Sequence, residues 1–115
     1  GYRPLGDGNA QRDGLREAAS YQILNNGTQL SFTDGAGAVR QIRLNGTNIE
    51  YTEPGLNPAW AKLYAPPAGE PAQTTLLFTN SPMAADVVVV ELVIGRRVQD
   101  RWFYASLQSK VLVRN

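Results

Sequence analysis

Residues 87–94 read Val-Val-Val-Val-Glu-Leu-Val-Ile, the most apolar and most β-branched run in the chain. Such a run favours an extended backbone, because branched side chains pack well on a pleated surface. Side chains of a strand alternate between its faces. Val88, Val90, Leu92 and Ile94 therefore form one wholly apolar face, and Val87, Val89, Glu91 and Val93 form the other. At about 1.5–3 kcal/mol for each fully buried aliphatic side chain, the first face alone contributes on the order of the net stability of a small domain. The run predicts a central strand, with the Glu91 face looking outward.

Downstream, Gly95-Arg96-Arg97 and Gln99-Asp100 make a polar connection to Arg101–Asn115, RWFYASLQSKVLVRN, a last strand whose natural neighbour is the valine run. Upstream, Thr74–Phe78 predicts another short strand, so that residues 74–115 form the C-terminal strand group. Before it, residues 52–72 are cut up by Pro54, Gly55, Pro58, Pro66, Pro67, Gly69 and Pro71 into a long irregular loop. Trp60, Leu63 and Tyr64 lie inside that loop and are costly to leave in water, so the loop is expected to fold over the sheet or to form a contact surface.

Residues 28–51 change to a period of two. Gln29–Thr33, Ala38–Leu44 and Thr47–Tyr51 predict a three-stranded meander, with turns at Asp34-Gly35-Ala36-Gly37 and Asn45-Gly46. In residues 10–24, Leu15, Ala18, Ala19, Gln22 and Ile23 fall on one face of a helix, with Asn25-Asn26-Gly27 as its stop. A helix is the leading expectation here. The competing one makes Tyr21 and Ile23 pair with Leu30 and Phe32 as arms of a hairpin around Asn26-Gly27. Residues 1–9, rich in glycine, predict an irregular lead-in to a single domain spanning residues 1–115.

The composition narrows the chemistry. Eleven basic and ten acidic residues, with no block of like charge, give no electrostatic footprint for nucleic acid or a membrane surface. The chain has no cysteine and no histidine, which removes disulfides, thiol nucleophiles, imidazole bases and the metal sites that depend on those ligands. The acids are scattered singly, and Ser109 and Lys110 point to opposite faces of a strand, so neither supplies a catalytic pair. No enzyme, cofactor, metal or small-molecule substrate is expected. Asp34-Gly35-Ala36-Gly37 reads as a turn without the alternating oxygen ligands of a calcium loop. Asn26-Gly27-Thr28 and Asn45-Gly46-Thr47 match a glycosylation acceptor pattern, but Asn-Gly is what tight turns select anyway. Arg96, Arg97 and Arg101 form the basic cluster, so the candidate interaction surface consists of Trp60, Leu63, Tyr64, Arg96, Arg97 and Arg101.

The C-terminal VVVVELVIGRR and WFYASLQSKVLVRN resemble the end of minor pilins and pseudopilins of type IV pili and type II secretion systems, of the PilW and GspJ type. Ser109, Val111, Val113, Arg114 and Asn115 carry the likeness. REAASYQI, GTQLSF and VRQIRLNGTNIEY add a weaker one to the pilin helix tail and the strands that follow it. The resemblance implies an α+β fold, with a truncated N-terminal pilin helix packed on an antiparallel β-sheet. It also implies a non-enzymatic structural subunit in filament assembly or initiation. Its partners would be other minor pilins or pseudopilins and the major pilin. A helix upstream of the sequence would anchor it in the bacterial inner membrane on the periplasmic side before it enters an extracellular filament. The apolar face of Val88–Ile94 would then lie beneath Leu15, Ala19 and Ile23. The alternative is an extracellular β-rich binding module recognising protein or carbohydrate through the Trp60–Tyr64 loop. The two separate on residues 10–24: a helix across one sheet supports the first, and two facing sheets with these residues as strand exclude it.

Overall fold

The computed structural model describes Ala18 and residues 20–113. The described residues are all-β, with eight strands: β1 (Ser20–Leu24), β2 (Gln29–Thr33), β3 (Val39–Asn45), β4 (Asn48–Thr52), β5 (Ala61–Tyr64), β6 (Ala72–Ser81), β7 (Ala84–Val98) and β8 (Arg101–Leu112). The first five form one antiparallel sheet in chain order, and β6, β7 and β8 form a second with β7 in the middle.

The valine run lies in the centre of β7, as its composition requires. Across the second sheet, Leu76, Leu92 and Leu107 share a row, as do Phe78, Val90 and Ser109, and Asn80, Val88 and Val111. These rows face the first sheet, and Leu76, Phe78, Val88, Val90 and Val111 share one core with Leu30, Phe32, Ile42, Ile49 and Tyr51. Glu91 lies on the opposite face, exposed, and accepts a hydrogen bond from Gln108 Nε2. The predicted register of the run is therefore correct.

The sheets cross rather than run side by side, because β6 passes over the turn ends of two hairpins. Thr74 Oγ1 donates to the Thr47 carbonyl (2.8 Å), Gly27 abuts Leu77 and Phe78, and Tyr21 Oη donates to Asn80 Oδ1 (2.6 Å). At the other end of the first sheet, buried Asp34 accepts from the N–H groups of Ala36 and Ala38 and from Arg40 Nε, each at 2.9 Å. Arg40 Nη1 also donates to Tyr51 Oη (2.6 Å) and Glu53 Oε2 (3.0 Å). Burial by itself would push the Asp34 carboxyl up, but these donors and the guanidinium charge hold it below the usual carboxylate range. The Asp34–Gly37 segment is thus a turn built on the aspartate side chain.

The structure overturns the α+β expectation. Ser20–Leu24, placed at the end of a helix, is strand β1, with Tyr21 opposite Phe32 and Ile23 opposite Leu30; the remainder of residues 10–19 apart from Ala18 lies outside the described residues. The hairpin prevails because tyrosine and isoleucine favour extended backbone and find apolar partners eleven and seven residues away in sequence. Asn25, Asn26 and Gly27 do take the left-handed conformation (φ 52°, 57° and 95°), but they close a hairpin instead of ending a helix. The apolar face of β7 meets Ile42, Ile49, Leu63 and Tyr64 of the first sheet where helix residues were expected.

The resemblance to minor pilins and pseudopilins falls with it. That fold needs an N-terminal helix lying across one sheet, and the described residues contain no α-helix and form two sheets. The likeness rested on a long antiparallel strand pair, which many all-β folds also contain.

Candidate functional site

The six residues singled out from the sequence do not converge. Trp60 lies on the outer side of the first sheet, where the Arg43 guanidinium sits 3.7 Å from its ring centroid. Arg43 is held there by buried Glu50, whose Oε1 accepts from Arg43 Nε (2.9 Å) and Asn45 Nδ2 (3.2 Å). Leu63 and Tyr64 turn the other way, toward the second sheet. They belong to β5, a strand the proline-rich composition concealed, which pairs with β4 through a register shift between Ile49 and Glu50. Arg96 donates to Glu70 Oε2 (2.5 Å) and Arg97 to Asp100 Oδ1 (2.8 Å). Arg101 makes no ion pair among the described residues. Adjacent on a strand, Arg96 and Arg97 point to opposite faces, so the basic cluster does not present one anion-binding surface.

The surface that does come together is β8, expected from the sequence as a last strand beside the valine run, with Arg101 as its one residue among the six. It is paired along its whole length with β7, from Val98↔Arg101 to Val87↔Leu112. Its other edge has no strand partner among the described residues. All its residues except Val111 are exposed, including Trp102, Phe103, Tyr104, Leu107 and Leu112. Three successive aromatics on a strand necessarily place rings on both faces. The sequence displayed that signal, but only the topology shows that no described residue covers either face or the edge there.

On the outer face the Trp102 and Tyr104 rings stack, with centroids 5.9 Å apart and planes 16° from parallel. Tyr104 lies across its cross-strand partner Gly95, where an added Cβ would come within 2.7 Å of the ring. The glycine thus makes room for the aromatic, and the aromatic covers backbone that glycine leaves bare. Tyr104 Oη reaches Gln73 Oε1 in the same row at 3.4 Å. On the inner face, Leu107 and Ser109 form one wall of an apolar cleft of about 340 Å³ between the sheets, which Ile42, Ile49, Leu63, Tyr64 and Leu92 also line.

This arrangement offers unpaired backbone donors and acceptors beside large apolar side chains. A strand edge of this kind can accept another strand, with main-chain hydrogen bonds supplying affinity and alternate side chains supplying selectivity. Among the described residues no group of carboxylates is placed to hold a metal ion, and no helix is long and apolar enough to cross a membrane. Compared with protein-family models, curated proteins and solved structures, the chain matches none.

Proposed function

We propose that the domain is a non-enzymatic recognition module that takes up an extended protein segment as an added strand on β8. One observation carries this reading: a twelve-residue strand whose outward edge is unpaired among the described residues and whose side chains are exposed on both faces. The segment runs antiparallel or parallel to β8 and extends the second sheet. Its inward side chains lie at the mouth of the apolar cleft, which favours apolar ones; its outward ones are free to be polar.

The test uses a synthetic peptide of alternating valine and threonine, titrated into the isotopically labelled domain. Amide shifts and slowed hydrogen exchange are expected in residues 101–112. The same peptide, N-methylated on the amides that face β8, should bind at least tenfold more weakly. Shifts centred on β5 or on the turns, or equal binding of the methylated peptide, would refute edge addition.

A further inference from the structure

We infer that the strand β8 receives is the β8 of a second copy of this chain, antiparallel across a two-fold axis at Leu107; this rests on the edge reading of the preceding subsection. A two-fold interface must be self-complementary. An axis normal to the sheet keeps each residue opposite one on the same face. With Leu107 opposite itself, the cleft face pairs Phe103 with Val111 and Ala105 with Ser109. The other face pairs Trp102 with Leu112, Tyr104 with Lys110 and Ser106 with Gln108. Apolar residues meet apolar ones, the one lysine meets an aromatic ring, and no like charges oppose.

Neighbouring registers are poorer. Moving the axis to Ser106 sets Val111 against Arg101 and Phe103 against Ser109; moving it to Gln108 sets Leu107 against Ser109. The area also points to a real but modest contact. Aromatic side chains carry about 150–250 Å² each, and Trp102, Phe103 and Tyr104 are 37%, 58% and 59% exposed. They leave roughly 300 Å² open per protomer. With Leu107, Leu112 and the backbone edge of both copies, the total approaches ~1,200 Å², the boundary between weak and stable specific complexes. The dimer is therefore concentration-dependent.

The chain contains no cysteine, so single substitutions read the register directly. Directly opposed residues of antiparallel strands have Cα atoms about 4.5–5.5 Å apart, within the ~4.4–6.8 Å of disulfides. Leu107→Cys should oxidise to a covalent dimer. Ala105→Cys should not, because its copies are offset by four residues, about 13 Å along the strand. Sedimentation of the unsubstituted chain should show a dimer fraction rising with concentration. Leu107→Lys, at a site 63% exposed and so compatible with folding, should weaken it at least tenfold. Circular dichroism identical to that of the parent confirms that each variant is folded. A chain that stays monomeric while the valine–threonine peptide still adds to β8 overturns the self-pairing and leaves the edge reading standing. Failure of both dimer and peptide overturns both. A dimer indifferent to Leu107→Lys, or cross-linked equally at position 105, overturns the register.

Discussion

Substituting Gly27 by alanine tests how the two sheets meet. Gly27 is buried at φ 95°, a conformation L-residues rarely adopt. A Cβ there would stand 2.5 Å from Leu77 Cδ1 and 3.1 Å from the Phe78 carbonyl oxygen. The leucine tip can swing aside, but the carbonyl belongs to the β6 backbone and cannot move without shifting the second sheet. Gly37 supplies the control, since its φ is 91° and nothing lies within 4 Å of a Cβ built on it. Both substitutions incur the left-handed backbone penalty, about 1–2 kcal/mol, and only Gly27→Ala adds overpacking of about 1–3 kcal/mol. Gly27→Ala should thus lose about 2–5 kcal/mol in all, a large share of the ~5–15 kcal/mol of an ordinary domain. For a chain of this size each kcal/mol lowers Tm by about 4 °C. Urea unfolding of both variants, followed by circular dichroism, gives the difference. Equal losses within about 0.5 kcal/mol would mean that the β1–β2 hairpin end does not pack on β6, and the crossed arrangement would be refuted.

Phe78→Ala should cost about 3–5 kcal/mol, since the ring is 1% exposed, whereas Glu91→Ala should stay within about 0.5 kcal/mol; urea midpoints that reverse this order would mean β7 is flipped. Asp34 has its carboxyl lowered in the fold, so its contribution is present above the unfolded value of about 3.9 and is lost as pH falls through the folded one. Asp34→Asn should therefore cost about 1–3 kcal/mol at neutral pH and much less once the parent's carboxylate is protonated, a convergence read from unfolding free energies measured between neutral and strongly acid pH. Arg43→Gln removes the guanidinium from Glu50 and from the Trp60 ring, and should cost about 1–3 kcal/mol. In a Trp102→Phe background the remaining tryptophan emission should shift with it; an unchanged spectrum would place Trp60 elsewhere.

What the sequence disclosed divides by the range of the interaction. The meander, the Asp34 and Asn45-Gly46 turns, the valine strand and its pairing with the last strand were legible, because each rests on local alternation or turn chemistry. Ser20–Leu24 was ambiguous because Ile23 suits a helix face and a strand face equally, and what decides it is Leu30, supplied by the next strand. β5 was hidden by flanking prolines, which bound the strand at Ala61–Tyr64 without interrupting it. The candidate site was the least legible part. Trp60 looked free because the sequence does not show Arg43 over its ring, and Leu63 looked like loop because a register shift aims it inward. The exposure of β8 depends on the second sheet having three strands among the described residues, which no local pattern encodes.

The other sheet edges explain why β8 is the one to test. Natural sheets guard their edges with short strands, bulges, inserted charge or cover from other elements. β5 has four residues, lies beside a register shift and carries Lys62. β1 has five residues and is tied to β6 through Tyr21 and Asn80. β6 is longer, but the hairpin ends at Gly27 and Thr47 lie against it. Among the described residues β8 shares none of these protections: residues 102–109 contain no charge, proline or glycine, and the two basic residues, Arg101 and Lys110, stand outside that stretch. An unguarded strand of this length invites pairing wherever a matching strand is present. The second copy of the chain is the one matching strand that accompanies the protein at every concentration, so self-pairing sets the competition that any other partner must overcome.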